Sequence, residues 1–423
     1  MKPRYFASAI LFLFLCGGFL WAERTITIEL DRPSQVYHLS EKAVFTMTVL
    51  DENGTPLREG TAQIRFQNDF RDVLREEKWN LAEKNPLVVE ESLSQPGFLS
   101  LTVTSEKATK RAAAGFEPEK IKPAQDCPAD FWEFWENLKK EVRELPEELK
   151  LEEIPFLCNE KRTVSRLSIR TLDNQLAHGF LSMPKNQGDG PFPLLVMVPG
   201  AGPGCGPDTH WCTQGFVVLH MNVFPYPCPL DGAERKKVYD EFHQDLPLRY
   251  CYDGAPNRDK YFFRNAYLGI DRAIDAVLRM PQVDATRVGY HGVSQGGASG
   301  LILGGLNGKF HYIVASVPAL CDHGGGLLGR SPGWPKLYDT VKDPQVQVMG
   351  PYFDGENFAR RITCPIQVTV GFIDTTCSPS SVYAAFNSIP STQKVMLHEV
   401  KRGHDTGEKH SQAFRWLVEN LKK

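Results

Sequence analysis

Between a β-forming run, Arg287-Val288-Gly289-Tyr290-His291, and a helix-like run, Ala298-Ser299-Gly300-Leu301-Ile302-Leu303, the chain reads Gly292-Val293-Ser294-Gln295-Gly296. A G-x-S-x-G set between strand and helix is a nucleophile elbow. The turn is so tight that a Cβ on either flanking glycine would strike neighbouring backbone. It pushes Ser294 Oγ out of the sheet and aims the Gln295 N–H, at a helix N-terminus, where an oxyanion would form. A glycine-rich turn holding a serine by chance is the alternative, and the strand-turn-helix flanks argue against it.

The 423 residues suffice for two domains, and 42% hydrophobic with 23% charged residues is the balance of a globular chain. A net charge of −3 with no long basic run excludes nucleic acid as a partner, because that partner needs concentrated positive surface. Residues 1–22 read as a secretory signal peptide: Lys2 and Arg4, an apolar stretch from Ala9 to Leu20, then Ala22. That segment is too short and wrongly flanked for a membrane span. Export to the periplasm or medium is expected; Cys16 raises lipid anchoring as an alternative, which the bulky Leu15 disfavours. Among the cysteines after the leader, Cys205 with Cys212 and Cys228 with Cys251 are local disulfide candidates. No spacing suggests a metal site, and the chemistry read below requires no cofactor.

From Arg24 to about Thr104 the hydrophobic period is two. Ile26, Ile28 and Leu30 alternate with polar residues; Val44–Leu50, Ala62–Phe66, Leu87–Val89 and Phe98–Val103 follow as short strands. Asp51-Glu52-Asn53-Gly54 favours a tight hairpin after the second of these. Residues 23–110 are therefore expected to form a small immunoglobulin-like β-sandwich. The polar stretch that follows places a linker at 111–125. A helix then begins at Asp126 or Asp130, with Phe131, Phe134, Trp135, Leu138 and Val142 on one packing face. Beyond it, strand-like runs alternate with helical ones: 193–198, 216–221, the elbow strand, 312–317, 366–370 and 395–400, with a closing helix at 411–421. That alternation implies a mostly parallel sheet with helices on both faces. With the elbow at its centre, residues 126–423 read as an α/β-hydrolase core, with cap inserts near 225–260 and 319–362.

A serine hydroxyl needs a base, and the base an orienting acid. In this fold they follow the serine in the order acid, then histidine. Asp374 lies just past the strand ending at Val370, where functional groups converge; its alternative is a helix N-cap near Pro379. His404, in the loop after the last strand, is the expected base. His398 competes but sits inside an apolar strand, as a core histidine would. Asp405 is given no catalytic part. The backbone N–H of Ala201, in Pro199-Gly200-Ala201-Gly202-Pro203-Gly204, is the expected second oxyanion donor opposite Gln295.

From about Cys127 onward the chain resembles the acetyl xylan esterase and cephalosporin-C deacetylase family of carbohydrate esterases. The carrying segments are Asp130–Trp135, Tyr261–Leu278, Gly292–Gly297, Val317–Asp322, Asn357-Phe358-Ala359 and, above all, Gly371-Phe372-Ile373-Asp374-Thr375-Thr376-Cys377-Ser378-Pro379. The resemblance implies Ser294, Asp374 and His404 as the catalytic set. The chain departs from the family at Pro199-Gly200-Ala201, where His-Gly-Tyr is usual, at Phe224-Pro225-Tyr226, where Arg-Gly-Gln is usual, and at Asp405, usually Glu. The family's usual hexamer raises a homo-oligomer as an expectation, with the leader and β domain as additions.

These readings converge on a serine esterase that takes small acyl groups, acetyl first, from plant-type carbohydrates or small esters. Tyr226, Trp211 and Trp334 are candidate pocket-lining residues. Two other functions remain open on sequence: a peptidase on the same fold, and a non-catalytic carbohydrate-binding relative.

Overall fold

The alternating apolar residues Ile26 and Ile28, Phe45, Met47 and Val49, and Ile64 and Phe66 do bury one face of their strands. In the structure, a computed structural model describing residues 24–186, 188 and 190–423, Phe45 and Phe66 meet edge to face at 5.5 Å in the middle of a two-sheet sandwich. The leader expected at 1–22 lies outside the described residues. One sheet runs Thr25–Leu30, Ala43–Leu50, Leu87–Glu91; the other runs Val36–Tyr37, Ala108–Phe116, Gly97–Ser105, Thr61–Asn68, Asp72–Asn80.

The turn at Asp51–Gly54 forms, with Asp51 Oδ1 accepting from the N–H groups of Asn53 and Thr55. The chain then folds back as a short hairpin, with Leu50 bridged antiparallel to Pro56 and the Leu57 N–H donating to the Val49 carbonyl at 3.0 Å, before the next long strand crosses to the opposite sheet. The linker placed at 111–125 is displaced, because Ala108–Phe116 is a strand paired along its length with Gly97–Ser105. Its small residues answer to packing rather than flexibility. A Cβ on Gly115 would come within 3.0 Å of the Phe98 ring.

The second unit is built on a nine-stranded sheet in the order Lys394–Glu399, Ile366–Gly371, Tyr312–Ser316, Val283–Val293, Phe192–Val198, Val217–Met221, Leu176–Pro184, Arg162–Arg170, Lys150–Glu153. The first six are parallel and the last three antiparallel. Helices Phe262–Leu278 and Gln295–Asn307 cover the sheet with buried faces, and Glu408–Leu421 buries Leu417 and Leu421 against it. The helix predicted to start near Asp130 spans Phe131–Glu144 and buries all five residues of the expected face. Trp135 Nε1 donates to the Tyr352 carbonyl at 2.9 Å, which ties that helix to the segment after the strand Tyr312–Ser316. Among the described residues no helix is long and apolar enough to cross a membrane.

The sandwich is seated on the sheet unit close to its carboxyl rim. Phe98 stacks edge to face on Phe372 at 5.0 Å, two residues before Asp374. Arg71 makes two hydrogen bonds to Asp339, at 2.8 and 2.9 Å. Between these contacts the turn residue Asp69 is 0% exposed. Burial lifts its carboxyl to about 7, and the Ser380 and Ser378 hydroxyls and the Arg330 charge oppose that only in part.

Candidate active site

The strand Val283–Val293 ends at the elbow and the helix Gln295–Asn307 starts immediately after Ser294. Ser294 is held at φ 58° and ψ −117°, a backbone state that costs a non-glycine residue about 1–3 kcal/mol. Two glycines make the approach possible. A Cβ on Gly292 would run into the Gly296 carbonyl, and one on Gly296 into the Val198 carbonyl. Both obstacles are backbone, which has no rotamer to yield. Gly296→Ala is therefore expected to cost about 3 kcal/mol or more, at the upper end of overpacking penalties. Thermal unfolding of the variant measures this, and a stability within experimental error of the parent would refute the close-approach argument.

Three side chains far apart in sequence meet at this turn. His404 Nε2 lies 2.9 Å from Ser294 Oγ, and His404 Nδ1 lies 2.8 Å from Asp374 Oδ2. Asp374 is 0% exposed, and its other oxygen accepts from the N–H groups of Thr376 at 2.8 Å and Cys377 at 3.0 Å. Those two bonds fix the carboxylate with one oxygen left for the imidazole. The N-cap role weighed for Asp374 belongs instead to Ser378, whose hydroxyl accepts from the Ser381 N–H. His398 is a core histidine, bonded through Nε2 to the Tyr383 hydroxyl, its ionisation pushed down by burial. The Asp405 carboxylate accepts from Arg402 at 3.3 Å and makes no hydrogen bond to the Ser294, His404 or Asp374 side chain.

The loop of Pro199–Gly204 runs alongside the serine: a Cβ built on Gly200 would stand 3.8 Å from Ser294 Cβ. Ala201 is exposed on that loop. The Gln295 N–H occupies the first helical position, where no intrahelical acceptor exists. The Gln295 side chain is anchored away from it, accepting from the Tyr250 hydroxyl. Tyr250 is buried within the insert at 225–260, among Phe224, Phe262 and Trp334.

The pocket candidates divide. Trp334 is half-buried 6.3 Å from Tyr250, and its backbone, like Ser294, lies near enough to the Cys377 thiol to act on its ionisation. Tyr226 lies on the rim side but stacks on Phe224 at 5.1 Å within an aromatic cluster. Trp211 is a correction. It precedes the strand Val217–Met221, at the end opposite the elbow rim, and packs on Phe216 and Phe414 under the last helix. The cysteine pairs are corrected too: Cys205 and Cys228 share one buried cluster, while Cys212 and Cys251 belong to two others. Burial, with Asp374 next in effect, raises the Cys377 thiol well above its ordinary range, so it stays protonated beside the serine. The sequence reading assigned no role to Cys377 or Tyr250. Cys377 lay within the most distinctive motif, whereas Tyr250 sits in an insert with no periodic pattern.

The profile of the acetyl xylan esterase family matches residues 117–420, starting directly after the last strand of the sandwich. Acetyl esterase Axe7A of Xylanibacter ruminicola is 30% identical over 339 residues, covering 78% of this chain and 76% of the relative. Acetyl xylan esterase 1 from Thermoanaerobacterium sp. JW/SL YS485 superposes with a TM-score of 0.60 at 23% identity, over 73% of this chain and 98% of its own. The acetyl xylan esterase from Paenibacillus sp. R4 superposes with a TM-score of 0.60 at 24% identity, over 72% and 98%. These two likenesses establish a common fold.

Proposed function

The chain belongs to the acetyl xylan esterase family of carboxylic ester hydrolases, and from that premise we propose that it releases small acyl groups, acetyl first, from acylated carbohydrates such as xylan or xylo-oligosaccharides. One observation carries the reading: an unbroken hydrogen-bond chain from Ser294 Oγ through His404 to the buried Asp374. His404 Nε2 takes the serine proton as Oγ attacks the ester carbonyl carbon. The oxyanion is held by the N–H groups of Gln295 and Ala201, each such donor being worth roughly 10²–10³ in rate. When the tetrahedral adduct collapses, the bond to the sugar oxygen breaks and His404 returns its proton to that oxygen. Water, deprotonated by the same imidazole, then cleaves the acyl-serine and frees the carboxylic acid.

Asp374 keeps the imidazole in the tautomer that presents Nε2 to serine and steadies its charged form. Trp334, beside Cys377 and Tyr250, is the aromatic residue placed to border the acyl group. The leader pattern at residues 1–22 supports export, which would bring the enzyme to polymeric substrate.

Incubation with acetylated xylan should release acetate, and Ser294→Ala protein should release none above background. Equal release by the two proteins would dismiss the reading.

A further inference from the structure

A cavity of about 180 Å³ opens beside the catalytic rim, between the turn around Asp173 and Gln175, the segment Asn222–Pro225 and the start of helix Phe262–Leu278. Strand register locates it. Met197 is level with both His220 and His291, so Asn222 is level with Val293. Two strand spacings, roughly 10 Å, separate them. The Asn222 wall of the cavity thus stands roughly 10 Å from the Ser294 turn, and its Asp173 and Gln175 wall lies two strands farther along the edge where the acid, base and oxyanion loop also stand.

Its chemistry narrows the ligand. Asp173 and Asp253 balance Lys260 and Arg264, so a charged ligand finds no net attraction. The polar side is already organised: Arg264 pairs with Asp173, and Asn265 Nδ2 donates to Asp173 at 3.0 Å and to Gln175 at 3.1 Å. Gln175 is exposed and keeps its amide N–H groups for a ligand. On the other side Phe242 and Phe262 are half-buried, leaving part of each ring open. Hydrogen-bonding groups opposite partly bare aromatic rings suit a neutral polyol with an apolar ring face. The volume decides the size, because a space of ~150 Å³ holds a benzene-sized ring. One sugar ring fits, and a chain does not.

We propose that this cavity is a sugar subsite. It holds one neutral pyranose ring of the acylated carbohydrate while an ester on another residue of the same chain lies at Ser294. The inference rests on the esterase reading above, and its test separates the two.

The Gln175→Ala/Lys260→Ala double variant changes two exposed side chains outside the catalytic set. Its KM on an acetylated xylo-oligosaccharide should rise ~10-fold, the loss expected for one or two hydrogen bonds. Its kcat/KM on 4-nitrophenyl acetate, too small to reach the cavity, should stay within twofold of the parent. In parallel, unacetylated xylo-oligosaccharide should bind Ser294→Ala protein by calorimetry, and the double substitution in that background should weaken the binding by a similar factor. Unchanged KM and unchanged binding would overturn the subsite while leaving the esterase reading intact. A parent protein inactive on both esters would overturn the esterase reading, and the calorimetry would still decide the subsite.

Discussion

His404→Ala lowers kcat on an aryl acetate by about 10⁴- to 10⁶-fold, the range seen when one member of such a catalytic unit is removed. The size follows from position. The imidazole alone spans the gap between Ser294 Oγ and Asp374, at 2.9 and 2.8 Å, so without it serine has no proton acceptor. Because the three groups act as a unit, Ser294→Ala/His404→Ala should be scarcely slower than either single variant. Asp374→Asn preserves shape but favours the wrong imidazole tautomer, and a loss of ~10⁴ is expected. Steady-state kinetics on the four proteins checks this. Multiplying effects in the double variant would mean that serine and histidine act in separate steps.

The Asp69→Asn substitution should stabilise the protein in a strongly pH-dependent way. Asp69 is enclosed where the sandwich turn meets the loop after Asp374, and burial raises its carboxyl to about 7. In the unfolded chain an aspartate titrates near ~3.9. A group whose folded value is raised contributes stability that is fully present below the unfolded value and lost as pH rises through the folded one. The parent therefore loses up to about 4 kcal/mol between pH ~4 and ~7 from this group alone. Asparagine, close in shape to the protonated acid, loses none. Urea unfolding at pH 5 and pH 8 should show the variant's advantage growing by up to about 2.6 kcal/mol, an upper figure because buried sites relax. A constant difference at both pH values would place the carboxylate in contact with solvent or a full counter-charge.

The elbow was legible because its constraint is local. Gly292 and Gly296 each face a backbone carbonyl, and no other residue type fits. Asp374 and His404 were legible because chain order and strand ends place them, and the structure brings both side chains into one hydrogen-bond chain with Ser294. Elsewhere the governing contacts are distant in sequence. Ala112-Ala113-Ala114-Gly115 carries no strand pattern, yet it pairs along its length with Gly97–Ser105, and at Gly115 the Phe98 ring takes the space that a side chain would fill. Asp72–Asn80 is an edge strand exposed along most of its length, so its sequence shows no alternation. Trp211 stands at the wrong rim for a pocket residue because it directly precedes a parallel strand, Val217–Met221, and so lies at the amino end of the sheet. Asp69 reads as an ordinary turn residue, and only the docked sandwich makes it a buried acid.

Rapid acid quench during turnover of excess aryl acetate, followed by peptide mass spectrometry, tests the covalent step itself. One acetyl group should appear on Ser294, in the peptide containing Gly292–Gly296, and no acetyl should appear on Ser294→Ala protein. Stoichiometric acetyl on another side chain, the adjacent Cys377 above all, persisting in Ser294→Ala would contradict it.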